Sequence, residues 1–164
     1  MPSRSPTNKN RTHVIGLISD THGLMRPQAL AALQDVQLII HAGDIGAPEV
    51  LRDLKRIAPI VAIKGNNDRE DWAKSLPDTK LLKINGKKLY IIHNIKELDC
   101  DPLAREIQVV ISGHSHMPLI AKRDGVLYVN PGSAGPRRFK LPVAVAKLRI
   151  YGAHIRPQII ELVI

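Results

Sequence analysis

Five short apolar runs, rich in Val and Ile and bounded by turn residues, constrain the fold more than any other feature of this chain. They are HVIGLIS (13–19), VQLIIHA (36–42), PIVAIKG (59–65), KKLYIIH (87–93) and IQVVISG (107–113). Runs of this length and composition read as buried strands. Between the first three lie RPQALAALQDV and APEVLRDLKRIA, where apolar residues recur at helical spacing behind a proline. That alternation builds a parallel sheet through right-handed crossovers. Beyond residue 78 the pattern changes to hairpins: TKLLKI with NGKKLYIIH around Asn85-Gly86, and MPLIAKR with GVLYVN around Asp124-Gly125. The end, VAVAKLRI then AHIRPQIIEL, alternates about Tyr151-Gly152 like a third hairpin. The expected architecture is α/β, with two mixed β-sheets packed as a sandwich and flanked by α-helices.

No repeat or linker-like stretch divides the 164 residues, so residues 13–164 are expected to form one domain behind a polar, basic tail at 1–12. A domain of that size hides roughly 70% of its unfolded surface, enough for a real core. No apolar run approaches the roughly 20 residues of a spanning helix, which argues against a membrane protein. The single cysteine, Cys100, excludes an intrachain disulfide and a thiolate-rich metal cluster. The first residues, MPSRSPTNKNRT, lack the apolar stretch of a secretory signal, so the expected compartment is the cytoplasm. Lys and Arg exceed Asp and Glu by nine, yet three of those charges (Arg4, Lys9, Arg11) lie in the tail. The five aromatics, Trp72, Tyr90, Tyr128, Phe139 and Tyr151, are too scattered to form a base-stacking platform, which argues against a nucleic-acid partner. Small anionic substrates suit the charge better.

The residues that close each apolar run carry the chemistry. The first run ends in Ser19-Asp20-Thr21-His22-Gly23, the second in Gly43-Asp44-Ile45-Gly46, and the third in Gly65-Asn66-Asn67-Asp68. The fourth ends in His93-Asn94 and the fifth in Gly113-His114-Ser115-His116. Taken singly, each is more often a cap, a turn residue or a packed histidine. As a set they deliver Asp, His and Asn side chains to the carboxyl edge of the strands, where α/β sheets bind ligands. Oxygen and imidazole donors without a thiolate suit a pair of divalent cations. Two carboxylates offset only part of that charge, so the site would attract a phosphate oxyanion.

The ordered series Asp20-x-His22, Gly43-Asp44, Gly65-Asn66, His93 and Gly113-His114-x-His116, followed by Asn130-Pro131-Gly132-Ser133, resembles the calcineurin-like metallophosphoesterases. The length and the spelling SDTHG, HAGD, GNND, GHSH and NPGS are similar to their small single-domain phosphodiesterase branch. The resemblance implies that Asp20, His22 and His116 hold one metal, that Asn66, His93 and His114 hold the other, and that Asp44 bridges them. It implies a phosphodiesterase in which a metal-bridging hydroxide attacks phosphorus in line, with a small phosphate ester as substrate. Manganese is the metal it suggests, although the donor set also admits Fe, Co, Ni or Zn. A homodimer is a further suggestion of the resemblance.

Two positions depart from the family pattern. Larger relatives place a His where this chain has Asn67, and an amide cannot protonate a leaving group. Aryl and other activated esters are therefore expected to react best. Asn94 stands where relatives commonly have Gly. Asn67, Arg137 and Arg138 are candidate substrate contacts, the arginines through bidentate binding of phosphate oxygens. His41 reads as a packed histidine near the site, Asp68 as the cap of the next helix, and Trp72 as core packing in a short exposed helix. Three competing functions stay open: a phosphomonoesterase, a non-catalytic protein-binding scaffold on the same fold, and a nuclease. A scaffold drifting from catalysis should lose ligands, and none of the seven is missing.

Overall fold

The computed structural model describes residues 11–164; the rest of the basic tail lies outside the described residues. Two five-stranded sheets form the body. The first has the order β10-β9-β1-β2-β3 and the second β4-β5-β6-β8-β7. In the first, β1 (His13–Ile18), β2 (Leu38–His41) and β3 (Ile60–Ala62) run parallel, and β9 (Ala144–Tyr151) returns antiparallel beside β1. Edge strand β10 (His154–Glu161) pairs with β9 and carries Pro157, tolerated there because an edge strand has a free side. In the second sheet β5 (Lys87–Ile92), β6 (Val109–Ile111) and β8 (Val126–Asn130) are parallel. Antiparallel edges β4 (Thr79–Ile84) and β7 (Leu119–Arg123) flank them.

The turn chemistry acts as expected. Asn85-Gly86 and Asp124-Gly125 each take two successive positive φ values, 49° and 79°, then 51° and 80°. That is the type I′ geometry whose twist matches a hairpin.

Apolar alternation fixes the layers. Ile15, Leu17 and Ile40 of the first sheet meet Leu89, Ile91 and Ile111 of the second in a dry interior layer. The outer face of the first sheet is covered by α1 (Pro27–Ala32) and α2 (Pro48–Lys55) through Ala29, Leu33, Val50 and Leu54. The helix expected over 26–36 is thus shorter; beyond Ala32 the Gln34 and Val36 amides bond three residues back and tighten the chain into turns. Outside the second sheet, Tyr90, Val110 and Val126 pack with Ile107, Leu98 and Cys100. That cover is an irregular segment containing a 3-10 turn at Ile95–Glu97. The carboxyl ends of β1, β2, β3, β5 and β6 meet at one edge, where the Gly113 amide donates to the His93 carbonyl and the Asp20 amide to the Gly43 carbonyl.

Candidate metal centre

Five of the seven singled-out residues sit at positive φ: Asp20 54°, His22 47°, Asp44 54°, His114 70° and His116 61°. An L-residue in that region costs roughly 1–2 kcal/mol, so such a cluster persists only where the surroundings over-determine it. The glycines show how tight the surroundings are. A Cβ on Gly65 would overlap the Asp44 carboxylate, and one on Gly113 would overlap Ser19 and Asp20.

Asp20 is fully buried. Its Oδ2 accepts from Ser19 Oγ at 2.7 Å and from the His114 amide at 3.0 Å. Its Oδ1 has no donor and lies 3.4 Å from His116 Nε2 and 3.9 Å from the Nε2 atoms of His22 and His93. Asp44 is clamped by Asn67, whose amide N–H donates to Oδ1 at 3.0 Å and whose side-chain nitrogen donates to Oδ2 at 3.2 Å. Asp44 Oδ2 in turn lies 3.3 Å from His93 Nε2 and 3.8 Å from His22 Nε2. His93 Nδ1–H donates to the Ala42 carbonyl at 2.7 Å, which fixes the tautomer and leaves the Nε2 lone pair facing the carboxylates.

Two triads result, Asp20 with His22 and His116, and Asp44 with His93 and His114; within each, the ligand atoms lie within 4.8 Å of one another. The His22 and His116 rings stack with centroids 5.4 Å apart, and those of His93 and His114 meet edge to face at 5.2 Å. Asp20 Oδ1 and His93 Nε2 are buried without a hydrogen-bond partner. A buried polar atom without a partner is costly, and a divalent cation in each triad would satisfy both. The donor set fits that group. Asn66 is exposed beside the second triad and lines a cavity with His93 and His114.

Electrostatics keeps Asp20, Asp44 and His22 in the form that can bind a metal, and favours the proton on His93. Burial would raise the Asp44 carboxyl, but the His93 imidazole 3.3 Å away, the hydrogen bonds from Asn67 and the charge of His22 hold it at about 2. Asp20 is likewise lowered against burial, through His116, Ser19 and the charge of His93. His22 is lowered: burial pushes it down, Asp44 and Asp20 pull it up, and His116 and Arg138 push it down again. Burial pushes His93 down as well, but Asp44 and Ala42 outweigh it and hold it raised in the metal-free protein. Arg138 thus makes itself felt at the first triad. It and Arg137 are exposed on the loop leading to Val143.

The supports under these candidate ligands are less visible in the sequence. Asp68 does not cap the following turn, which starts without a side-chain cap. Its carboxylate is 5% exposed and accepts backbone N–H groups from Ile45 (3.1 Å), Gly46 (3.0 Å) and Gly65 (2.9 Å), tying the second and third ligand loops together. The 130–135 segment also braces from behind. Asn130 Nδ2 donates to the Gly113 carbonyl at 2.9 Å, and Ser133 Oγ to the Asp20 carbonyl at 3.0 Å. The recognisable spelling NPGS is the signal that points to this brace. Trp72 leans on the outer apolar layer and donates its Nε1–H to Glu70 at 2.9 Å.

His41 is fully buried, accepts from the Gly43 amide at Nδ1 (3.1 Å), and donates from Nε2 to Thr21 Oγ1 (3.0 Å), which passes its own proton to the Ile45 carbonyl (2.8 Å). Burial lowers its pKa to about 4. The unfolded chain then binds more protons than the folded one between about pH 6.5 and 4, so this contribution is complete above that window and lost as pH falls through it. In that window the lowered His22 acts in the same direction, while the raised His93 is charged in both states. Urea unfolding of metal-free protein should show a loss of about 3 kcal/mol between pH 6.5 and 4. His41→Gln should flatten most of that slope, and an unchanged slope would remove His41 as its cause.

Comparison with known proteins points the same way. Residues 14–151 match the calcineurin-like phosphoesterase superfamily domain. A probable metallophosphoesterase of Methanothermobacter thermautotrophicus is 35% identical over 160 residues, covering 90% of this chain and 92% of that one. The solved structure of an archaeal phosphodiesterase superposes with a TM-score of 0.74 at 27% identity, covering 90% and 99% of the two chains. A vacuolar protein sorting 29 of Entamoeba histolytica complexed with zinc shares the fold, with a TM-score of 0.71 at 20% identity over 90% of this chain and 98% of that one. Among the described residues no helix is long and apolar enough to cross a membrane.

Proposed function

Because the chain belongs to the calcineurin-like phosphoesterase superfamily, we propose that it is a dinuclear metal-dependent phosphodiesterase acting on small phosphate esters. Asp20, His22 and His116 hold one divalent cation, Asn66, His93 and His114 hold the other, and Asp44 spans them. The observation that carries this reading is the pair of buried, unpartnered atoms Asp20 Oδ1 and His93 Nε2, 3.9 Å apart between the two triads. When bound, a pair of divalent cations supplies a hydroxide nucleophile and a Lewis-acid clamp on the phosphoryl oxygens.

The chain's own residues prepare that chemistry. Asn67 holds the Asp44 carboxylate by two hydrogen bonds, and Ala42 orients His93. Arg138, whose charge already reaches His22, binds a phosphoryl oxygen together with Arg137. Asn67 has no acidic proton to give, so leaving groups that need little protonation depart fastest. The likeness to an archaeal phosphodiesterase supports the diester preference, and manganese is the metal we assign first.

The test strips the protein of metal and adds Mn back while following an aryl phosphodiester beside the aryl monoester and an alkyl monoester. We expect two equivalents of Mn by calorimetric titration and diester hydrolysis about ten-fold faster than monoester, a difference of ~1.4 kcal/mol in barrier. A faster monoester would make the enzyme a phosphomonoesterase. Folded protein inactive with Mn, Fe, Co, Ni and Zn would turn the reading to a protein-binding module.

A further inference from the structure

The cover over the outer face of the second sheet leaves part of that face open. Between the Asn94–Lys96 segment and β7 lies a cavity of about 350 Å³, with Ser112 and Tyr128 on its wall and His114 of the second triad beside them. Ser112 prolongs β6, its amide donating to the Val129 carbonyl at 3.0 Å. Strand alternation puts it on the side of Val110, which packs outward with Tyr128. Ile95 and Leu119, 37% and 45% exposed, add apolar surface. A concave site with apolar walls and a few polar groups is the usual form of a small-molecule subsite.

The charges on this wall have one sign. Lys96 and Arg123 line the cavity and no carboxylate does. The Arg123 guanidinium lies 5.8 Å from the Tyr128 ring centre, placed by an aromatic face. Ser112 points to a ligand independently of these cations. It is 7% exposed and belongs to neither triad, and among the described residues its hydroxyl has no hydrogen-bond partner. Asn130, 5% exposed on the same wall, is by contrast committed: Nδ2 donates to the Gly113 carbonyl and to Ser115 Oγ, and Oδ1 accepts from the Gly132 amide. A hydroxyl enclosed this far is costly to leave without a partner. An anion entering beside Lys96 and Arg123 supplies one.

We propose that this cavity is a specificity subsite for a phosphodiester whose second ester arm is apolar along its length and ends in an anionic group. The phosphoryl group lies on the His114 side, the arm runs over Leu119 and Ile95, and the terminal anion stands between Lys96 and Arg123 and accepts from the Ser112 hydroxyl. The phosphoryl placement rests on the phosphodiesterase reading above; the anion subsite is built from residues outside both triads.

Two chromogenic diesters of equal shape test it with Mn-loaded protein: p-nitrophenyl phosphate esterified with an ω-carboxypentyl or with an ω-carbamoylpentyl arm. Two partly exposed ion pairs should give about a five-fold preference in kcat/KM for the carboxylate, shrinking as salt is added. K96Q/R123Q should abolish the preference while hydrolysing the amide ester as before. K80Q/K83Q removes the same charge from the opposite edge strand and should retain it. Calorimetric titration with phosphonohexanoate and its terminal amide reads the subsite without turnover, and the same preference is expected there. Ser112→Ala should weaken phosphonohexanoate binding about three-fold, the worth of one lost hydrogen bond. Equal kcat/KM for the two diesters in the wild-type protein, or a preference that survives K96Q/R123Q, overturns the inference and leaves the phosphodiesterase reading standing. Hydrolysis of neither diester overturns that reading; tighter binding of phosphonohexanoate that is lost in K96Q/R123Q would then still support the subsite, and equal binding of the two phosphonates would overturn it as well.

Discussion

Asp44→Ala should lower metal-dependent diester hydrolysis by at least about 10³-fold, or ~4 kcal/mol of barrier, without unfolding the protein. The residue contacts both triads, at 3.3 Å from His93 Nε2 and 3.8 Å from His22 Nε2. With its pKa held at about 2 it is ionised at any working pH. No nearby group can take its place, because Asp20 already commits Oδ2 to Ser19 and the His114 amide. In the dinuclear reading proposed above, truncation removes the anion between the two cation positions, so one equivalent of Mn should be lost along with activity. Asp44→Asn preserves the volume but not the charge, and should be nearly as inactive. Circular dichroism and the unfolding midpoint establish that each variant is folded. Retention of more than about a tenth of the wild-type rate by folded Asp44→Ala would remove Asp44 from the centre of the site, since loss of even an outer-shell group costs 10–100-fold.

Strands and turns are legible in the sequence because their signals are local. A Val- and Ile-rich run such as IQVVISG carries its own evidence of burial, and Asn85-Gly86 carries its own backbone geometry. The candidate ligand residues are legible for a related reason, most of them lying within a few residues of a strand's end. Their sorting into two triads is not, because Asp20 meets His116 only through the packing of one sheet against the other. That sorting rests on the family resemblance. The end of α1 and the irregular cover over Tyr90 and Val110 are hidden too, since both depend on the surface that the chain packs against.

Asp68 escapes a local reading for the same reason. An aspartate after Gly-Asn-Asn looks like a cap for the next turn, whereas two of its three donors, Ile45 and Gly46, lie more than twenty residues upstream. Asp68→Asn should lower stability by about 3 kcal/mol, because any amide orientation turns an NH2 group toward buried N–H donors and leaves at least one unsatisfied. At this chain length that corresponds to a fall of roughly 10 °C in Tm. The variant should also bind Mn about 10–100-fold more weakly, since the loops bearing Asp44 and Asn66 are no longer fully tied together at the Ile45 and Gly46 amides. Asp68 touches none of the candidate ligands through its carboxylate, so its part is positioning, and saturating Mn should recover most of kcat. Asp44→Ala should recover nothing under the same titration. An Asp68→Asn protein with unchanged Tm and unchanged Mn affinity would mean that the two loops hold their places without this carboxylate, and that the positive φ values at Asp44 and its neighbours are sustained by the Gly65 and Gly113 contacts alone.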